Sequence, residues 1–455
     1  MHTDCTSSGI AANAAPRRYG NRLVTNAKQQ FWKTITILHN RHYGLAHESS
    51  AHIKTTGIDD IPAVHYLVGE AGYPNYGDEL IAREWLKYLA QIDPETPVVL
   101  DCMCSGPAAA LMYGVHPRIM AVDTIARLAQ NNYLDLLREQ GKQEGEIPAA
   151  VIAERVRAQL DDVGQAPRYA GGIQLFTEHI KDCHVIGGGY MNSDWTDGLA
   201  RLAGAQWAQQ HGVPAVVSGV GLEPLSHEDA AYARDVALGI TAFSCRDQQS
   251  VTAVDPKHEV VTLVPDDCFV NALEGVYVED AASLPDTMLC VQSDFIDDKQ
   301  ALLRHVIAVF ERWGVPESAR IGVVECIPRD SIDTMDMLRE HGYEPQLFPL
   351  QHLIDFGFPA RPGQRWLSTR YHPHLLAAAH GCAGSYIVVK PGYYDVKHQA
   401  VVRMGSRWTQ TIIDQEEIPE PGPGFADPDV RYQYRDRVRA QVVPVYGKPP
   451  AVRPR

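Results

Sequence analysis

Short apolar runs recur along this chain. Each ends at a glycine, an acid or an arginine, after which an amphipathic helical pattern begins. Residues 63–68 (AVHYLV) lead through a glycine- and proline-containing loop into a helix with an apolar face of Leu80, Ile81, Trp85, Leu86 and Leu89. Residues 97–100 (PVVL) turn into DCMCSGPAAAL, and 119–123 (IMAVD) give the next run. Residues 183–189 (CHVIGGG) precede a helix over 199–211, 213–217 a second over 226–238, and 260–264 close the series. Apolar runs of about four to eight residues alternating with helices predict parallel strands joined by crossover helices. The alternation pauses at 280–287 and restarts with MLCVQSDF, ARIGVVEC, QLFPL and the unit 365–397. The expected fold is α/β, two Rossmann-like domains facing across a cleft.

The boundaries follow from where the alternation stops. Residues 1–60 read as an N-terminal extension, partly disordered, with a strand or edge hairpin at 31–38. The first domain takes 61–283, with a charged helical insertion or lid at 138–170, and the second takes 284–415. A helix-like piece is expected near 408–413. Beyond it, 416–455 is a C-terminal extension rich in Pro, Gly and charge, with a loose tail from Lys448.

Composition narrows the function. The balance of 41 Lys+Arg against 56 Asp+Glu gives −15, which argues against a general nucleic-acid or anionic-membrane surface. Nine cysteines are scattered, apart from Cys102 and Cys104, with no CxxC pair, so neither structural zinc nor a disulfide framework is expected. No apolar run reaches about 18 residues, and the N-terminus lacks a charged start followed by an apolar core. A cytoplasmic protein with metal-independent chemistry is the expectation.

Residues able to hold an anion gather at strand-to-helix junctions. Arg370, His372 and His374 surround Pro373 at a helix start, and Lys390 and Lys397 follow the next strand. Unpaired first-turn N–H groups, the helix dipole and a fixed guanidinium all favour a phosphate or carboxylate there; a basic helix cap is the alternative. Asn75 and Asp78 sit at an earlier helix start, and Arg246 and Asp247 at another. Gly187, Gly188 and Gly189 permit close backbone approach to a ligand, and Asp267 lies just past a strand.

Seven strings stand in one order: NYGDELI, HVIGGGYM, SGVGLEPL, SCRDQQS, VPDDCF, STRYHPHLLAAAHG and YDVK. Together they resemble the polysaccharide pyruvyl transferase family over most of 65–405. The resemblance implies two Rossmann-like halves of the GT-B type and phosphoenolpyruvate as donor substrate, with no cofactor. Pyruvate would be placed as a cyclic ketal on two hydroxyls of a sugar or lipid-linked glycan. Carried over residue by residue, Arg246, Arg370, His372 and Lys397 hold the donor. The family usually has its Lys closer to the His, whereas here KPGYYD intervenes, so Lys390 is the alternative to Lys397; the second His, His374, is not explained by the pattern.

The chemistry agrees with these residue types. A donor with a carboxylate and a phosphate needs several cations. His372 suits proton transfer, and Asp78, Asp247 and Asp267 are the carboxylate candidates for activating the acceptor. Asn75 and the Gly187–Gly189 backbone would shape the acceptor side. Two other readings stay open: a GT-B glycosyltransferase with a nucleotide-sugar donor, and a catalytically inactive anion-binding relative. The acceptor and the oligomeric state, a homo-oligomer included, are left open.

Overall fold

The first strand, β1 (Val64–Val68), is buried along its whole length, as expected of a parallel strand covered on both faces. The computed structural model describes residues 62–448 except 292–295, 297, 330 and 416. In the first half β1 is followed by β2 (Val98–Asp101), β3 (Ile119–Val122), β4 (Ile180–Val185), β5 (Ala215–Val220), β6 (Ala242–Cys245) and β7 (Val261–Leu263). They form one parallel sheet in the order β3-β2-β1-β4-β5-β6-β7. The second half contributes β8 (Thr287–Cys290), β9 (Arg320–Val324), β10 (Glu344–Phe348), β11 (Arg365–Ser368), β12 (Ala383–Ile387) and β13 (Thr409–Thr411). These are parallel in the order β10-β9-β8-β11-β12-β13. The two Rossmann-like domains expected from the alternation are therefore present, with a cleft lined from both.

Strand order reverses between β1 and β4 in one sheet and between β8 and β11 in the other. A crevice opens outside the carboxyl ends at such a switch point, because the adjacent loops diverge to opposite faces. The halves share an apolar seam there. Tyr76 of the first stacks on Phe358 of the second at 5.8 Å, and Phe358 on Trp366 at 5.2 Å. The Tyr76 N–H donates to the carbonyl of Cys326 at 2.9 Å.

Two expectations need correction. The piece near 408–413 is not helical: Thr409–Thr411 is the edge strand β13, as its β-branched residues favour. The segment 138–170 contains the helix Ala149–Asp161, which buries Ile152, Ala153, Val156 and Leu160 and packs on the helices Thr124–Gln140 and Leu202–Gln210. It is part of the first half's core. The C-terminal extension packs on both halves. Gly422 pairs with Gly384 beside β12, and the helix Val430–Tyr446 then returns to the first half, burying Tyr434, Val438 and Val442. Arg439 Nε donates to the Val270 carbonyl at 2.7 Å, and the Tyr446 hydroxyl lies 3.0 Å from His184 Nδ1. The extension 1–60, with the strand or hairpin at 31–38, and the tail beyond Lys448 lie outside the described residues. No helix among the described residues is long and apolar enough to cross a membrane.

Candidate active site

Past the end of β11 the chain turns on Ser368, whose hydroxyl accepts the Arg370 N–H at 3.0 Å and donates to the Arg370 carbonyl at 2.9 Å. Arg370 then stands in extended conformation at the cap of the helix Tyr371–Ala379. Arg370, Tyr371 and His372 line a cavity of about 480 Å³ between the two sheets. The loop after β1 adds Glu70 and Asn75, the first turn of the helix Tyr76–Ile92 adds Gly77 and Asp78, the loop after β4 adds Gly189, and the end of β6 adds Arg246. Tyr393 and Lys397, after β12, complete the wall.

Two glycines set how closely these side chains converge. A Cβ at position 189 would stand 2.9 Å from both Arg246 Nη2 and Lys397 Nζ, so two cations meet over bare backbone. A Cβ at position 77 would collide with the imidazole of His372. Position 77 needs glycine because the imidazole ring occupies the space of a side chain, whereas at 189 the ends of Arg246 and Lys397 would have to shift.

The charges are unequally balanced. Arg246 Nη1 donates to Asp266 Oδ2 at 2.7 Å, and its guanidinium lies 4.4 Å over the Tyr371 ring. His372 Nε2 is 3.5 Å from the other oxygen, Asp266 Oδ1. Burial alone would raise the Asp266 pKa, but the charges of His372 and Arg246 and the Cys268 N–H more than offset it and hold it well below the carboxylate range. Lys397 Nζ sits 3.4 Å over the Tyr393 ring. Burial first, then the Arg246 and Arg370 charges, push its pKa well below the usual lysine range. Half-buried Asp78 accepts from Asn75 Nδ2 at 2.7 Å and is pushed up to about 6 by burial, with His372 opposing. Protonating the crowded lysine becomes easier when an anion enters, which is the behaviour of a site completed by a negatively charged ligand.

Of the residues expected from sequence, Asn75, Asp78, Gly189, Arg246, Arg370, His372 and Lys397 come together at this cavity. The others do not. Asp267 is fully buried under the glycine turn, accepting from Trp85 Nε1 at 2.8 Å, the Gly187 N–H at 2.8 Å and the Ser218 hydroxyl at 2.5 Å. Gly187 and Gly188 belong to that turn, the Gly188 carbonyl accepting from the Gly221 N–H at 2.9 Å, and line none of the cavity. Asp247 caps the helix Gln248–Val254 by accepting the Ser250 N–H at 2.7 Å. His374 is buried between Trp408 and Tyr386, with Nδ1 2.9 Å from His398 Nδ1 and Nε2 2.8 Å from the Ser406 hydroxyl. Burial, then His398, holds its pKa well below the ordinary histidine range. Lys390 pairs with Asp194 at 2.7 Å and does not reach the cavity, so of the two lysines Lys397 is the one placed there.

Sequence reasoning missed Asp266, Tyr371, Tyr393 and Glu70. Asp266 stood beside the chosen Asp267 in the same string, and the tyrosines carried no polar signal that marks a site.

The family model for polysaccharide pyruvyl transferase matches residues 75–388. Among solved structures, the chain is similar to the UDP-GlcNAc 2-epimerase from Neisseria meningitidis bound to UDP-GlcNAc, with 11% identity and a TM-score of 0.44 over 86% of this chain and 94% of that one. It is similar to Acinetobacter baumannii MurG at 12% identity and a TM-score of 0.40, covering 86% and 96% of the two chains. A glycosyltransferase from Rickettsia africae gives 9% identity, a TM-score of 0.41 and coverage of 85% and 91%. No curated protein matches the sequence significantly.

Proposed function

This chain belongs to the polysaccharide pyruvyl transferase family, and we propose that it moves the pyruvyl unit of phosphoenolpyruvate onto two hydroxyls of a sugar or lipid-linked glycan, releasing phosphate and using no cofactor. The observation that carries this reading is the meeting of Arg246, Arg370, His372 and Lys397 in one cavity, with Asp266 ion-paired to Arg246 and set against His372. A donor with a carboxylate and a phosphate suits a cluster of several cations, with guanidinium forks for its planar anionic groups.

In this reading the two arginines and Lys397 hold the donor's anionic groups. His372, set in place by Asp266 on one side and the Gly77 backbone on the other, delivers a proton to C3 of the enol as the first sugar oxygen bonds to C2. Asp78 receives the proton of that hydroxyl, a role suited to a carboxylate poised near neutrality. The C2–O bond to phosphate then breaks, with the leaving charge stabilised by the cations. The second hydroxyl bonds to C2 and its proton goes to phosphate. The proton held by Asp78 then returns to His372, so on balance one hydroxyl proton replaces the one delivered to the new methyl group and the other ends on phosphate, with no change of oxidation state.

The test is phosphate release from phosphoenolpyruvate with a panel of glycans, read together with mass spectrometry of the acceptor. Phosphate in step with an acceptor gaining one pyruvate ketal supports the reading. Nucleotide release from a UDP- or GDP-sugar, with none of phosphate from phosphoenolpyruvate, overturns it.

A further inference from the structure

The cavity holds a second set of residues, mostly acidic, aromatic or uncharged: Glu70, Tyr73, Gln130, Trp195, Asp197 and a single cation, Arg201. We propose that these form an acceptor subsite for an uncharged sugar unit, which rests on the donor reading above. Glu70 and Asp197 would accept from its hydroxyls, and Trp195 would carry its ring face.

Trp195 and Tyr73 keep 38% and 59% of their surface exposed although both belong to a cavity wall. Large aromatic faces left open beside carboxylates suit a pyranose, whose C–H face is apolar and whose edge bears hydroxyls. Trp195 is also joined to the cations. Its ring meets Tyr393 edge-on at 5.9 Å, and Tyr393 carries Lys397 Nζ at 3.4 Å. A sugar resting on Trp195 would therefore lie next to the donor.

Arg201 holds this set in place. It is 4% exposed, and its Nη1 donates to the Gly69 carbonyl at 2.9 Å and pairs with Glu70 at 2.6 Å. Its Nε has no hydrogen-bond partner among the described residues. One cation against Glu70 and Asp197 leaves this set acidic on balance. A carboxylate accepts from a pair of hydroxyls but repels a uronate or phosphate, and more strongly where water is partly excluded. With phosphoenolpyruvate held on Arg246, Arg370 and Lys397 beside it, this set favours an uncharged reacting sugar.

Saturation-transfer NMR on the full chain with phosphoenolpyruvate present, using the methyl glycosides of galactose, mannose and N-acetylglucosamine beside methyl glucuronide, tests this. At least one neutral glycoside should bind, and methyl glucuronide should bind about tenfold more weakly or not at all. Trp195→Ala should weaken the neutral glycoside about tenfold while leaving the thermal shift caused by phosphoenolpyruvate unchanged. Asp197→Asn should narrow the gap between neutral and acidic glycosides. Equal binding of the glucuronide, an unaffected Trp195→Ala variant, or no neutral glycoside binding in the tens of millimolar would each overturn the subsite. Absence of the phosphoenolpyruvate shift in the unaltered protein would instead strike the donor reading.

Discussion

Gly77, in the first half of the chain, lies directly against the imidazole of His372 in the second, so that a Cβ at position 77 would overlap the ring at Nδ1. The position of the proposed proton donor therefore depends on a missing methyl group across the cleft. Gly77→Ala must push His372 aside. An error of about 1 Å in a reacting group costs on the order of a hundredfold in rate. The expected result is a loss of kcat/KM of that size in the phosphate-release assay, with a circular dichroism spectrum like that of the unaltered protein. Unchanged turnover would mean that the ring is not where the reaction needs it.

On the proposed mechanism, Asp78 should set the acid side of the pH profile. Burial pushes its pKa up to about 6, so it loses the ionised form needed to accept a proton as pH falls through that value. The log of kcat/KM should decline below about pH 6. Asp78→Asn should lower the rate by about a hundredfold or more, the usual scale for a general base, and remove that limb. Kinetics from pH 5 to pH 8 on both proteins decide it; a limb that survives in the variant belongs to another group.

Asp266 should also contribute to the stability of the fold. Its folded pKa is held well below the unfolded value of about 3.9, so the folded state gains from the ionised form. That stabilisation is fully present above about pH 4 to 5 and is lost as pH falls further. Asp266→Ala leaves the buried Arg246 without its partner, a change that costs about 3–5 kcal/mol. Urea unfolding at pH 7 should show a loss of this size, and the difference between variant and parent should shrink toward pH 3. A variant as stable as its parent at pH 7 would contradict the ion pair's role.

Much of this site was legible in the sequence, and the misses have physical causes. Arg246, Arg370 and Asp78 stand where an apolar run gives way to a helix, which is where parallel sheets present ligand-binding groups. His374 could have been set aside on periodicity alone. Two residues after His372 on a helix, it points about 200° away, into the core beside Trp408. Asp266 and Asp267 could not be separated in this way. Adjacent residues leaving a strand face opposite directions, and only the fold shows that Asp266 turns to Arg246 while Asp267 turns to Trp85. The returning helix did leave a signal, since Tyr434, Val438 and Val442 are spaced at i, i+4 and i+8. The surrounding arginines, prolines and acids masked it.

Asp247 separates a cap from a catalyst. Asparagine caps a helix about as well as aspartate, whereas alanine costs about 1 kcal/mol. Asp247→Asn should therefore keep stability and turnover close to those of the parent, and Asp247→Ala should lower the unfolding midpoint. Thermal unfolding and the phosphate-release assay on the pair check this. A large loss of turnover in Asp247→Asn, with stability intact, would return this carboxylate to the reaction.

The most direct measurement is isothermal titration of phosphoenolpyruvate into the full chain, repeated with Arg370→Ala and at raised ionic strength. The expected result is one site per chain, weakened by salt and about a hundredfold or more weaker in the variant, as befits a lost charge-assisted pair. Binding of equal strength in the variant, or no binding to the unaltered protein, would contradict a cationic cavity built for this donor.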